Sequence, residues 1–344
     1  MKASYKNYLL HFKQASGTSR GVLKTKETYF IILEKEAKIG YGETGLFRGL
    51  SADDKPDYEE KLNWTCQNIH LGLEELLIRL IEYPSIQFGL EQAFLSLKSS
   101  NSFDLFPSQF TEGKTVIPIN GLVWMGNEEF MQQQIEAKLV AGFNTIKMKI
   151  GAIDFETEIK LLQSIRANYS AKEITLRVDA NGAFTPKNAL DKLDRLASLD
   201  IHSIEQPIKQ GQVKEMRDLC VKTPVPIALD EELIGVFTYE DKKELLQDIN
   251  PQYIILKPSL LGGIKGSNEW ISLANKQNIP YWITSALESN IGLNAICQYT
   301  HTLNVTLPQG LGTGSLFSNN IESPLEVSKG SIGYNIKKSW KINI

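Results

Sequence analysis

From about residue 116 the chain repeats one alternation: a short β-branched run, a longer amphipathic stretch, and then the next run. The runs are "VIPINGLVW", "NTIKMKI", "ITLRVDAN", "HSIEQPI", "PIALDEE", "YIILKPS", "PYWITSALES" and "TLPQGLGT". Between most of them lie stretches such as "EEFMQQQIEAKLVAG", "FETEIKLLQSIRANY" and "PKNALDKLDRLASL", whose apolar residues recur at helical spacing. Eight such runs joined by helices within about 200 residues favour a closed (β/α) barrel over an open doubly wound sheet. Thr185 followed by Pro186 predicts an N-cap with proline at the first helical position, and Gly142 predicts a helix end just before "NTIKMKI".

The segments on either side follow other periods. Residues 1 to about 50 alternate as antiparallel strands do, as in "TYFIILEKEAKIGYGE", and residues 56 to 98 read as helical. Strands followed by helices imply a separate α+β unit over residues 1–115, with the barrel over 116–315. The tail, 316–344, contains "SPLEVSKGSIGYNIKKSW", which reads as further short strands returning to that first unit. No low-complexity linker separates the two, so they are expected to pack together.

Composition narrows the function classes. The 344 residues carry 37 Lys and Arg against 40 Asp and Glu, a net charge of −3 without a basic block, which argues against a nucleic-acid or anionic-membrane partner. The cysteines Cys66, Cys220 and Cys297 are odd in number and far apart, as reduced buried thiols would be. "MKASYKNYLLHF" lacks the apolar core of a secretion signal, and no run reaches the roughly 18 apolar residues of a membrane span. The expectation is a soluble, cytoplasmic protein.

Within this frame, "TIKMKIG" is unusual, because strand side chains alternate and Lys147 and Lys149 therefore share one face. On an exposed strand they would be solvated; in a closed barrel that face points inward. The following runs supply partners: "RVDAN" carries Asp179, "IEQP" carries Glu205 and "ALDEE" carries Asp230, separated by 26 and 25 residues, about one β/α unit each. Each has an ordinary explanation, an Asx turn, a strand exit set by proline, or an acidic helix start. Together they recur at one height near the C-terminal mouth, where barrel enzymes place their chemistry. Three oxygen donors with room for water and substrate suit a hard divalent cation, Mg²⁺ first and Mn²⁺ as an alternative, while four scattered histidines disfavour a zinc site.

Lys257, in "IILKPS", follows Asp230 by 27 residues, and Lys149 precedes Asp179 by 30, so two lysines flank three carboxylates around the barrel. Desolvation and a neighbouring cation would lower a lysine pKa enough for it to act as a base. Lys149 is assigned as that base, with Lys147 as its inward-facing companion and a candidate substrate contact. Metal-assisted proton abstraction next to a carboxylate is the chemistry that follows.

The ordered set "KMK", "DAN", "EQP", "DEE" and "LKPSLLGG" resembles the enolase superfamily, in particular its muconate-lactonising-enzyme subgroup, over nearly the whole chain. The resemblance implies a modified TIM barrel with an α+β capping domain built from the N-terminal part and the C-terminal tail. It also implies that Asp179, Glu205 and Asp230 bind Mg²⁺ and that Lys149 and Lys257 are acid/base lysines on opposite faces of the substrate. "TSALESNIGLNAI" and "QGLGTGSLFSNNI" are most similar to the o-succinylbenzoate synthases of menaquinone biosynthesis. Those enzymes eliminate water from a succinyl-bearing hydroxycyclohexadiene carboxylate, which implies Lys149 as the single base and Lys257 as an electrostatic partner.

Other stretches suggest substrate contacts. Gly310, Gly312 and Gly314 would let backbone amides approach an anionic group, although a plain glycine-rich turn explains them equally. "ASGTSRG" resembles the family's loop that closes over the site, and Arg20 in it would pair with a substrate carboxylate. Ser285 is read as a substrate contact, Asn181 and Glu288 as supports just behind the contacting side chains, and Glu231 as structural. The alternative function is an N-acylamino-acid racemase or dipeptide epimerase of the same superfamily. Dipeptide epimerases of the resembled family usually carry an Asp-x-Asp motif near the eighth strand, whereas "LPQGLGTGS" has no acid.

Overall fold

The computed structural model describes residues 1–18, 21–342 and 344. An antiparallel sheet of β1 (Lys2–Thr18), β2 (Gly21–Lys35) and β3 (Lys38–Glu43) is followed by helices α1 (Tyr58–Gln67), α2 (Leu73–Arg79) and α3 (Pro84–Lys98). Every second residue of β2, Tyr29, Ile31 and Leu33, is fully buried against Leu62 of α1, Leu76 of α2 and Leu90 of α3, a core of its own. Phe30 on the opposite face is buried as well, against Phe103, Ile291 and Ile321, so the alternation read in "TYFIILEK" divides two covered faces.

The first run of the repeating region divides into β4 (Ile117–Pro118) and β5 (Gly121–Val123). After β5 come α4 (Glu128–Val140), β6 (Thr145–Lys149), α5 (Phe155–Asn168), β7 (Thr175–Asp179), α6 (Ala189–Ala197) and β8 (Ile201–Glu205). The alternation continues with α7 (Val213–Lys222), β9 (Ile227–Leu229), α8 (Tyr239–Ile249), β10 (Tyr253–Leu256), α9 (Gly263–Lys276), β11 (Tyr281–Ile283) and α10 (Asn290–Thr302). Strands β5 to β11 form one parallel sheet in sequence order. The eighth run closes it without forming a strand. Gln309 bridges Ile119 and Gly310 bridges Thr284, with the Asn120 amide donating to the Gln309 carbonyl at 2.9 Å and the Gly310 amide to the Ile283 carbonyl at 2.9 Å. The result is the modified barrel with an N-terminal α+β unit.

Two local expectations differ in outcome. Gly142 sits at φ +78° just past α4, as a helix-ending glycine does. Thr185 does not cap α6: Pro186 opens a turn, and the helix begins only at Ala189. The Asn188 side chain takes the Thr185 amide at 2.9 Å, so a local turn competes with the first helical turn. The C-terminal tail contributes β12 (Leu325–Ser328) and β13 (Ser331–Tyr334), a hairpin whose second strand pairs with β4, while Trp340 stacks on Phe103 and Phe317 bridges Phe12 of β1. Cys220 and Cys297 are buried and Cys66 half-buried, all as free thiols. Among the described residues no helix is long and apolar enough to cross a membrane.

The N-terminal unit grips the barrel through carboxylates set on helix starts. Glu91 of α3 accepts from the amides of Ile264 (2.5 Å) and Lys265 (2.9 Å) in the first turn of α9. Burial pushes the Glu91 carboxyl up to about 7, against the pull of those amides. The folded value exceeds the ordinary 4.5, so the associated stability is fully present below about pH 4.5 and is lost as pH rises through 7. The loss is on the order of 3 kcal/mol. Glu91→Gln, which is uncharged throughout, is expected to remove this slope: its melting temperature relative to wild type should climb from pH 5 to 7 and then level off. A difference that stays constant with pH would show that Glu91 titrates as an ordinary carboxylate.

Candidate active site

Strand register builds the site. Lys149 pairs with Asp179 across β6 and β7, and Asp179 with Glu205 across β7 and β8, so the three stand in one row at the C-terminal ends of the strands. Asp230 directly follows β9 and Lys257 directly follows β10. The period-2 alternation turns Lys147 and Lys149 to the same interior face, where Lys147 is 7% exposed. These lysines are therefore not solvated strand residues. Lys149 and Lys257 lie four strand positions apart in a barrel with eight positions, which sets them across its mouth from one another.

The charges are tightly interlocked. Lys147 Nζ lies 2.9 Å from Asp179 and also donates to Glu205, whereas Lys257 donates to Asp230. Lys149 Nζ donates to Asp179 Oδ2 at 3.1 Å and to Asn181 Oδ1 at 2.7 Å, and Asn181 Nδ2 in turn donates to the buried Glu231 at 2.9 Å. Burial would raise the Asp179 carboxyl, but Lys147 and Lys149 outweigh it and hold the group well below the usual carboxylate range. Glu205 moves the other way: burial and the Asp179 charge push it well above its ordinary value. Burial alone would lower Lys147 and Lys257; their carboxylate neighbours overcome it and raise both. Each of these two ammonium groups sits against carboxylates, which favour its charged form.

These groups face a cavity of about 380 Å³ lined by Lys147, Lys149, Asp179, Asn181, Glu205 and Lys257. Phe47 and Leu50 of the N-terminal unit cover it, and Trp124, Leu287 and Leu316 supply apolar wall. Ser285, Gly310 and Gly312 reach the cavity too, but not all as donors. The Ser285 hydroxyl donates to Glu288 at 2.5 Å and accepts from Thr313 at 2.8 Å and from the Leu287 amide at 3.1 Å, which commits its proton and both lone pairs. The Gly310 amide is spent on barrel closure, and a Cβ there would stand 2.5 Å from Thr284 Oγ1, so close strand approach explains this glycine. Gly314 opens a short 3₁₀ turn instead of lining the cavity. Glu288 is fully buried behind Ser285, and Arg20 lies outside the described residues.

Four contributors were not read from the sequence. Arg177, two residues before Asp179 and on the same inward face, lies beneath the row; its guanidinium stacks 4.2 Å from the Trp282 ring and donates to the Pro308 carbonyl at 2.8 Å. Extending the alternation backwards from Asp179 would have found it. Gln206 adopts φ +41°, and its side-chain Oε1 accepts from the amides of Asp230 (3.2 Å) and Glu232 (3.3 Å), which ties "EQP" to "DEE". The covering residues Phe47 and Leu50 carry no local signal.

The donor set fits a hard cation. Among the described residues no acidic, histidine or cysteine side chains already stand as a three-membered cage, since Lys147 bridges Asp179 to Glu205 and Lys257 holds Asp230. Yet three buried carboxylates end consecutive strands, and Glu205 Oε1 is buried without a hydrogen-bond partner, a state that favours an added cation.

Comparison with known proteins agrees with this architecture. A family model described as "Enolase C-terminal domain-like" matches residues 130–334. The chain is 45% identical over 364 aligned positions to o-succinylbenzoate synthase of Desulfotalea psychrophila, covering 97% of this chain and 99% of that protein. The crystal structure of MenC from Desulfotalea psychrophila superposes with a TM-score of 0.86 at 42% identity, over 97% of this chain and 99% of that one. A dipeptide epimerase from Enterococcus faecalis, solved with Mg and the dipeptide L-Leu-L-Tyr, superposes at 0.82 with 20% identity over 97% of this chain and 96% of that one, a likeness of fold.

Proposed function

This chain belongs to the enolase C-terminal domain-like family, and from that premise we propose that it is an o-succinylbenzoate synthase, a hydro-lyase of menaquinone biosynthesis working in the cytoplasm. The observation that carries the choice is the end-to-end likeness to the Desulfotalea synthase. The substrate is a small carboxylate, a hydroxycyclohexadiene bearing a succinyl group, from which water leaves to give an aromatic ring.

Asp179, Glu205 and Asp230 would hold a divalent cation, Mg²⁺ foremost with Mn²⁺ as the substitute. When bound, that cation supplies electrostatic stabilisation of negative charge on the substrate carboxylate. The chain's own groups do the rest. Lys149, as the free amine, takes the proton from the carbon beside the carboxylate; once protonated, it returns a proton to the departing hydroxide on the same face. Asn181, held by Glu231, fixes the direction of the Lys149 amine. Lys257, across the mouth, contributes fixed positive charge to the same transition state. Lys147 keeps Asp179 and Glu205 together and offsets their mutual repulsion. Phe47, Leu50 and Trp124 exclude water from the ring.

The test is incubation of the purified protein and Mg²⁺ with the succinyl-hydroxycyclohexadiene carboxylate, following the aromatic product by absorbance. Turnover to product is expected. Efficient racemisation of an N-acylamino acid with no dehydration would move the assignment to the racemase reading, which the facing pair of lysines also accommodates.

A further inference from the structure

We propose that Glu288 is a positioning residue that ties the turn carrying Lys257 to the cavity wall formed by residues 284–287 and 313, an inference that rests on the role given to Lys257 above. Glu288 is fully buried and does not line the cavity, yet its two oxygens serve two different elements. Oε1 accepts from Ser259 Oγ at 2.5 Å, two residues beyond Lys257. Oε2 accepts from Ser285 Oγ at 2.5 Å, in the loop between β11 and α10. Ser285 Oγ then accepts from Thr313 Oγ1 at 2.8 Å, in the segment that follows the closing run. One carboxylate thereby joins the ends of β10 and β11 to the eighth barrel position.

The chemistry explains a carboxylate here. It only accepts, so both serines must donate to it, and their lone pairs are left for the next partners. For Ser285 one of those partners is the Leu287 amide, at 3.1 Å. Leu287 lines the cavity at φ +66°, a left-handed conformation that costs a leucine energy and persists only when its surroundings impose it. The N-terminal unit closes the arrangement from above. A Cβ on Gly45 would lie 2.8 Å from Ser259 Cβ and 3.1 Å from Glu288 Cγ, so the glycine lets the N-terminal unit's backbone approach the Ser259–Glu288 pair closely. Beside it, Ser289 gives its amide to Glu43 of β3 at 2.9 Å, pinning the adjoining backbone to the same unit.

The test uses Ser259→Ala, which removes one arm of the tie by deleting a single hydroxyl, together with Glu288→Gln and the double variant. In Ser259→Ala we expect kcat to fall about tenfold with KM within about twofold, because displacing Lys257 weakens the transition state more than the bound substrate. Amide hydrogen exchange should accelerate at 285–289 as well as at 259–261. Glu288→Gln should show the same pattern more strongly, and the double variant should be no worse than Glu288→Gln alone. Exchange that accelerates only at 259–261, or losses that add in the double variant, would overturn the tie. Absence of dehydration in the wild type would instead remove the assigned function, and the exchange measurement would still decide whether Glu288 couples the two segments.

Discussion

Lys149→Ala is expected to abolish dehydration, with a loss on the order of 10³-fold or more in kcat, and to leave the fold intact. Removing a positioned acid/base group costs about 10² to 10⁴ in rate, and here one amine would serve both proton transfers. The fold should survive because Asp179 keeps its second cation, Lys147, at 2.9 Å. Arginine variants separate the two facing lysines. Lys257→Arg retains the charge on which its role depends, whereas Lys149→Arg retains a charge that cannot give up its proton. Lys257→Arg should therefore keep measurably more dehydration activity than Lys149→Arg. Racemisation makes the opposite demand, since each lysine must act as base toward one enantiomer and, in protonated form, as acid toward the other, each on its own face of the substrate. Dehydration and α-proton exchange of an N-acylamino acid in D₂O, measured on both variants, decide the matter. Equal and complete loss of dehydration in the two would leave the single-base mechanism without support.

Metal removal is the second large effect. Chelator-treated protein is expected to lose turnover and to regain it with Mg²⁺, and Asp179→Asn, Glu205→Gln and Asp230→Asn should each reproduce the loss. The carboxylates also allow a readout independent of activity. A ligand that binds only the folded chain raises its stability, by about 2.7 kcal/mol at a hundredfold excess over Kd. Millimolar Mg²⁺ should accordingly raise the melting temperature of the wild type and not that of Asp179→Asn. Full activity after chelation, or an equal thermal shift in Asp179→Asn, would remove the metal from these three residues.

Much of this architecture was legible because it follows from periodicity. The interior alternation of "TIKMK", "TLRVD" and "HSIE" aligns Lys149, Asp179 and Glu205 by register, and β/α spacing carries Asp230 and Lys257 to the same end of the barrel. Strand length was less legible. The eighth run pairs through only Gln309 and Gly310, since its glycines and proline disfavour a longer strand. The start of α6 was misplaced for a related reason: Asn188 captured the Thr185 amide and diverted the chain into a turn before the helix.

The residue types, their spacing and the two periods, 2 along the strands and 3.6 along the helices, determined by themselves that this chain forms a barrel with lysines and carboxylates at one mouth. Such patterns are local, and a local pattern decides which face a side chain takes. Tertiary structure alone decided what each polar group spends its hydrogen bonds on. It committed the Ser285 hydroxyl to Glu288 and Thr313, and the Gly310 amide to Ile283, before any substrate could claim them. It also brought Phe47 and Leu50 over the cavity and set carboxylates against Lys147 and Lys257 that raise both. The physical reason is that hydrogen-bond commitment and pKa depend on the sum of all neighbours in space. In this chain those neighbours come from strands about 30 residues apart and from an N-terminal unit some 200 residues away.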